Sequence, residues 1–392
     1  MARHRPARLK DMPGIGVDRM GDIADALADP AVLRMENLDT DIPPYGPAVA
    51  ATRRAAAEDA ANSYLPFLGQ DHLRRAAAAH VNRLAGRDYD WRRSCVISAG
   101  GLSGILNVLL ATVDVGDEVI LTDPAYAGLL NRVRLAGGVP RLAPLIPGKD
   151  GWRLDLAAFR EAAAQPRVRA VLMMSPSMPT GSVLSEEEWG AVAEACRSHD
   201  LLLIYDAAME RILFDGRAVL HPARLPGMAE RTVTIGSASK ELRMIGWRIG
   251  WVVGPPEIVA DVGLVGISNV VCQVGIAMEA AAVALEAPEA DVRDAAAEWQ
   301  RRRDVILREL AGVVPAIPPH GGWSLLLDMG AKGLTGEQGS RLFLEKAKIA
   351  ATPMVNWGGP DTARYLRLVF ANEPCARLEG IGERVRRALS AA

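Results

Sequence analysis

Ala170-Val-Leu-Met-Met-Ser175, a Glu-rich stretch over 185–198, and Leu201-Leu-Leu-Ile-Tyr-Asp206 read as strand, helix and strand in succession. Both short runs are apolar without alternation and are bounded by turn residues, so both faces of each strand must be covered. The stretch between them has helical spacing with a Glu and Arg outer face. The same texture recurs at 95–98, 118–122, 232–235 and 251–254. Such alternation predicts an α/β domain with a mostly parallel, doubly covered sheet, over residues 50–288. Ala-rich stretches at 74–80 and 280–287 read as helix within it. Beyond it, 291–310 reads as one long amphipathic helix, followed by Pro-rich 314–319 and short strands near 323–328 and 365–370. Residues 289–392 are therefore expected to form a smaller α+β domain. Residues 1–49 hold too little core to fold alone and are expected to be an arm packing with that small domain.

Composition narrows the function. The chain has 392 residues, roughly two to three domains' worth, with 49% hydrophobic and 23% charged residues and a formal charge of -2. That balance excludes disordered and fibrous classes and offers no basic surface for nucleic acid or anionic lipid. Cys95, Cys196, Cys272 and Cys375 are widely spaced without a Cys-x-x-Cys pair, which speaks against a disulfide framework or metal site and for a reducing cytoplasm. The basic opening over 1–10 is followed by no apolar run, and no segment approaches ~20 apolar residues. Neither a signal peptide nor a membrane span is expected.

In an open α/β sheet, ligands bind beyond the carboxyl ends of the strands, and four of those ends carry chemistry. Ser98-Ala-Gly-Gly101-Leu102 turns at once into a helix whose free amides suit a phosphate, although a tight turn without ligand would read the same way. Asp123-Pro-Ala-Tyr126 sets an aromatic ring just past a strand, where it is either core or a stacking surface. Asp206 ends an apolar strand, where it either caps a turn or meets a ligand cation. Ser237-Ala-Ser-Lys240, followed by Gly246-Trp-Arg248-Ile-Gly250, puts an amine beside hydroxyls and a guanidinium. Of the 45 basic residues only six are lysine, at 10, 149, 240, 332, 346 and 348, and the other five read as solvated surface. Gly14-Ile-Gly16-Val-Asp-Arg-Met-Gly21 follows no strand and reads as loop. A phosphate-bearing, cationic aromatic ring held covalently by an amine satisfies all four strand ends, and pyridoxal 5'-phosphate is such a cofactor.

The order and spacing of these motifs resemble the fold type I pyridoxal-phosphate enzymes of the class I/II aminotransferase family, over nearly the whole chain. Tyr64-Leu-Pro-Phe-Leu-Gly69 with Leu73-Arg74 is similar to a family segment whose tyrosine reaches the cofactor phosphate of the partner subunit. The resemblance implies a homodimer with shared active sites. It also implies that Lys240 forms the Schiff base and that Ser237, Arg248 and the amides of Gly101 and Leu102 hold the phosphate. Tyr126 would stack on the ring, and Asp206 would pair with the pyridinium nitrogen. Tyr365-Leu-Arg367 resembles the strand whose arginine forks the substrate carboxylate. Asn37, Trp323 and Trp357 are further substrate-binding candidates, although Met35-Glu-Asn-Leu-Asp-Thr-Asp-Ile-Pro43 lacks the family's glycine.

Two departures stand out. Ser175-Pro-Ser-Met178-Pro-Thr-Gly181 replaces Asn-Pro-x-Asn-Pro-x-Gly, and Asp206-Ala-Ala-Met209 replaces Asp-Glu-x-Tyr. Methionines thus occupy the places of the asparagine and tyrosine that donate to the cofactor's phenolic oxygen, and a thioether cannot donate. Ser175, Ser177 or a water is the alternative donor. The implied activity is amino transfer between an α-amino acid and a 2-oxo acid. The alternative is β- or γ-elimination or replacement, as in aminocyclopropanecarboxylate synthases, with S-adenosylmethionine a candidate substrate. Effector-sensing regulators share this fold but need a DNA-binding domain ahead of it, for which about 50 residues leave no room. A catalytically silent pyridoxal-binding protein is the remaining non-enzymatic alternative.

Overall fold

Leu203 and Tyr205 of the strand Leu202–Asp206 enter one hydrophobic cluster with Phe159 and Trp189, while Ile204 between them enters another with Ile105, Leu109 and Val133. Neighbouring strands divide likewise, Val171 and Met173 to the first side and Ala170 and Leu172 to the second. Alternate side chains leave a strand on opposite faces, so apolar residues at every position mean a sheet covered twice.

The structure, a computed structural model, describes residues 5–10 and 12–390; the first four residues of the basic opening lie outside it. Its eight-stranded sheet runs Cys95–Ser98, Gly250–Val253, Thr232–Ser237, Leu202–Asp206, Val168–Met174, Glu118–Asp123, Val139–Gly148 and Gly151–Leu154. The five strands from Thr232–Ser237 to Val139–Gly148 pair in parallel. Gly250–Val253 is antiparallel to both its neighbours, and the last strand returns antiparallel at the edge. The fold is the expected α/β one of fold type I, with more sheet than the apolar runs suggested. Val139–Gly148 escapes the strand pattern because it carries Pro140, Pro144 and Pro147, and proline is tolerated where a strand lies near an edge.

Helices cover the sheet as their signals direct. Glu186–Ser198 starts at a capping box in which Ser185 Oγ accepts from the Glu188 amide and the Glu188 carboxylate accepts from the Ser185 amide. Asp71–Ala85 and Gly275–Leu285 extend the Ala-rich stretches and pack against Cys95, Ile97 and Trp251.

A four-stranded antiparallel sheet, ordered Ala316–Ile317, Ser324–Asp328, Tyr365–Val369 and Thr352–Pro353, follows the 22-residue helix Glu289–Leu310. One hydrophobic cluster runs unbroken from Tyr205 and Met209 of the large sheet region through Trp323 to Leu366 and Val385. The N-terminal segment joins it: Leu33–Arg34 pairs in parallel with Ile349–Ala350, and Met35 O accepts from the Val369 amide. The stretch around Gly14–Gly21, expected to be loop, is in part helical. Val17–Leu27 is a helix that starts after left-handed Gly16, and Gly21 within it, with Gly14 and Gly16 ahead of it, masked the helical pattern.

Candidate active site

A cavity of about 780 Å³ opens at the carboxyl ends of three parallel strands, reached by Met174, Asp206 and Ser237. Its floor begins where Ser98 gives way to Gly100, at φ 86°, and the helix Gly101–Thr112 starts. A Cβ on Gly250 would lie 2.6 Å from the Gly101 amide nitrogen, so a glycine there lets the strand pass beneath the helix start. The first amides of that helix have no intrahelical acceptor, and Gly101 and Leu102 line the cavity. Arg248 joins them from the left-handed region, φ 56°, with its guanidinium donating to Ile245 O at 2.8 Å and Ser239 Oγ at 3.2 Å. Amides, hydroxyls and a guanidinium thus converge as an anion cradle.

Lys240 and Asp206 stand beside it. Lys240 is half-buried; its Nζ donates to Leu38 O at 3.0 Å and lies 4.9 Å from the Trp323 ring centroid. Burial draws its pKa down to about 7; Asp39 opposes the shift, and Arg367 and Arg248 add to it. The amine is therefore partly neutral near pH 7, as a nucleophile or proton acceptor must be. The other five lysines are exposed. Asp206 is 5% exposed and accepts from the Ala208 amide at 3.1 Å. Burial pushes its carboxyl up to about 6 against the lowering pull of that amide, Arg132 and Lys240, and among the described residues no cation is in ion-pair contact with it. Tyr126 caps the helix Ala127–Leu135 with its ring over Gly128, where any Cβ would collide with it.

Arg367 lies on Tyr365–Val369, 1% exposed, and burial lowers its pKa to about 10. Its guanidinium donates to Glu36 O, to Thr352 Oγ1 at 3.3 Å and to Met178 Sδ at 3.6 Å, and it sits 4.7 Å from the Trp357 ring centroid. Among the described residues Nε has no acceptor and no carboxylate is in hydrogen-bond contact with the guanidinium. A buried guanidinium so placed is a receptor for an anion from outside.

The cavity wall brings together eleven of the expected residues: Lys240, Asp206, Gly101, Leu102, Tyr126, Met178, Met209, Ser237, Arg248, Arg367 and Asn37. Four lie elsewhere. Trp323 and Trp357 are buried behind the wall, under Lys240 and Arg367 respectively. Ser175 is buried with its Oγ accepting from the Leu184 amide, and Tyr64 projects from the surface, 85% exposed. The reading of the sequence overlooked the outer wall, where Ile15 comes from just before the N-terminal helix, Asp18, Asp22 and Asp25 from the helix and Arg34 from the strand after it. Acidic residues at helical spacing from 18 to 25 were the available signal. Among the described residues no cluster could hold a metal ion, and no helix is long and apolar enough to cross a membrane.

Residues 34–384 match the family described as aminotransferase class I and II. The chain is 33% identical over 317 residues to the arginine–pyruvate transaminase AruH of Pseudomonas aeruginosa, covering 79% of each. It is 34% identical over 350 residues to the probable N-succinyldiaminopimelate aminotransferase DapC of Mycobacterium tuberculosis, covering 85% of this chain and 86% of that one. Among solved structures, the N-succinyldiaminopimelate aminotransferase of Mycobacterium tuberculosis superposes with a TM-score of 0.90 at 30% identity, over 98% of this chain and all of that one. Aspartate aminotransferase of Thermus thermophilus with maleate gives 0.90 at 28% identity, over 98% and 100%.

Proposed function

The chain belongs to the class I and II aminotransferase family, and from that premise we propose that Lys240, Asp206 and Arg367 carry amino transfer between an α-amino acid and a 2-oxo acid. Pyridoxal phosphate is the cofactor of this family, and the residues present fit it. Gly101, Leu102, Ser237 and Arg248 line the cavity where they would hold the phosphate, and Tyr126, on the same wall, would cover the ring. Asp206, a carboxylate buried without a contacting cation, is the partner for a protonated ring nitrogen, and its low-dielectric site makes that pairing strong. Bound there, the cofactor supplies a carbonyl that takes up the substrate's amino group and a ring that stabilises negative charge at Cα.

The remaining work is done by the chain's own side chains. Arg367 orients the substrate by forking its carboxylate, and Trp357 behind it holds the guanidinium plane. Lys240, in its neutral form, takes the Cα proton and returns it, and burial keeps its pKa near the pH at which that exchange works in both directions. Asn37 lies on the same wall and is assigned to the substrate side.

One observation carries this reading: an amine of pKa about 7, a buried carboxylate and a buried, anion-free arginine converge on one cavity. Borohydride reduction of the yellow holoenzyme followed by peptide mapping is expected to find the cofactor on Lys240, and Lys240→Ala should lower amino transfer to pyruvate or 2-oxoglutarate by about a thousandfold. An adduct on another lysine, or an active Lys240→Ala enzyme, overturns the assignment.

Elimination or replacement is the second reading, favoured by Met178 and Met209, which bring thioethers to the wall where the relatives' hydrogen-bond donors are expected. Release of a leaving group from S-adenosylmethionine, without a new amino acid from the 2-oxo acid, distinguishes it.

We also assign a homodimer with shared sites. Exposed Tyr64 and Phe67 adjoin Leu264 and Val274 through Leu68 and Leu65, which pack on the helices Pro256–Asn269 and Gly275–Leu285. An apolar face of that kind needs a partner. The four unpaired thiols agree with a cytoplasmic setting.

A further inference from the structure

The cavity wall carries charge of both signs. Lys240, Arg367 and the more exposed Arg248 supply the positive part. The negative part comes from the helix Val17–Leu27, which turns Asp18, Gly21, Asp22 and Asp25 toward the cavity, a spacing of three and four residues that defines one helix face. Asp25 is neutralised by Arg34 at 2.6 Å, and Arg34 is itself shared with buried Glu36. Among the described residues Asp18 and Asp22 have no cationic partner. Asp18 sits in the first turn, where the helix dipole favours an anion, but Asp22 lies one turn further and gains little from that.

From this charge pattern we propose that the amino-group donor carries a second, cationic group at the far end of its side chain, as lysine, ornithine and arginine do, and that Asp18 and Asp22 receive it. The proposal rests on the amino-transfer reading above and adds the substrate class. Arg367, nine-tenths and more buried with its Nε unpartnered, fixes where the donor's carboxylate goes. Leu38, Ile15 and Val17 line the same cavity as the two carboxylates and offer the methylenes of a long side chain an apolar wall.

The acidic face is tied to the inner site. The Trp357 indole N–H donates to Ile15 O at 3.0 Å, just before the helix, while the same ring lies against the Arg367 guanidinium. Asn131 Nδ2 anchors the segment again at Pro13 O, at 2.9 Å. One tryptophan thus holds the carboxylate receptor and the entry to the acidic helix at a set separation. A neutral tail leaves Asp18 and Asp22 without a partner, and an anionic tail is repelled.

Lysine, norleucine and 2-aminoadipate have the same carbon chain with a cationic, neutral or anionic end, which makes them the test. With the holoenzyme and a common 2-oxo acid, kcat/KM for lysine is expected to exceed that for norleucine by about tenfold or more, with 2-aminoadipate lowest. The advantage should shrink with added salt, as an attraction near the mouth is screened. In the double variant Asp18→Asn, Asp22→Asn the lysine-to-norleucine ratio should fall to within about threefold of unity. Norleucine or 2-aminoadipate reacting as well as lysine, or a ratio unchanged in the double variant, overturns this inference and leaves the transfer reading standing. Amino transfer from no donor overturns both.

Discussion

Met178 decides the most local question the site poses. Its sulfur takes an N–H from Arg367 at 3.6 Å, and Met209, on the same cavity wall, is buried with its sulfur near Gly322. The hydroxyl alternatives read from the sequence point elsewhere: Ser175 Oγ serves the Leu184 amide, and neither Ser175 nor Ser177 reaches the cavity wall. With no protein donor from these positions, a proton on the Lys240 nitrogen of the holoenzyme is held more tightly. Its visible absorption should keep the protonated form into mildly alkaline pH. Met178→Asn adds a donor, stabilises the oxygen's anionic form and should move the midpoint down; a spectral titration with coincident midpoints would refute this. Arg367→Ala should leave cofactor binding intact and weaken amino-acid binding by about 2 to 5 kcal/mol, read as a raised KM. The inner residues were legible because motif spacing singles out Lys240 and Arg248. Trp323 and Trp357 were assigned to the substrate and instead lie buried behind Lys240 and Arg367, because spacing does not say which way a large ring turns.

A strand passing beneath a helix start tests the element scale. Gly250 approaches the Gly101 amide and Gly100 carbonyl carbon so closely that an added Cβ would sit 2.6 Å from each, against backbone that cannot swing aside. Gly250→Ala should displace the phosphate cradle, cost about 1 to 3 kcal/mol of stability and weaken cofactor affinity, measured by denaturant melts and cofactor titration. Gly190, inside the helix Glu186–Ser198, has nothing within 4 Å of the same position. Gly190→Ala should therefore stabilise the protein by about 0.5 to 1 kcal/mol without touching cofactor affinity. Equal melting shifts of the same sign would show that the close approach at Gly250 does not matter. The strands that sequence made legible are those buried along nearly their whole length, the edge strand Cys95–Ser98 included, because burial on both faces forces unbroken apolar runs. Val139–Gly148, whose exposed residues and prolines suit its place near the edge, gives no such run. The helix Val17–Leu27 hid behind Gly21 and the glycines just ahead of it, and with it went the acidic outer wall.

For the molecule as a whole, the unanswered demand is the apolar surface around Tyr64. Tyr64 is 85% exposed and Leu264 65%, well beyond what isolated surface residues need, and neither contributes to this chain's own cavity. A two-fold partner that covers this face could carry Tyr64 toward a second copy's phosphate cradle, because an isologous interface exchanges the same segment in both directions. The consequence is complementation. A Tyr64→Phe chain keeps Lys240 but lacks the hydroxyl it would lend, and a Lys240→Ala chain keeps Tyr64 but lacks the amine. Each homodimer should be impaired, whereas a heterodimer rebuilds one complete site from the Lys240 of one chain and the Tyr64 of the other. Equal random mixing should therefore restore about a quarter of the native site density, since half the dimers are mixed and each holds one repaired site. Co-expression with two different affinity tags isolates the mixed species. Activity in that fraction no higher than in the parents would mean that each subunit completes its site alone and that the exposed tyrosine serves packing only.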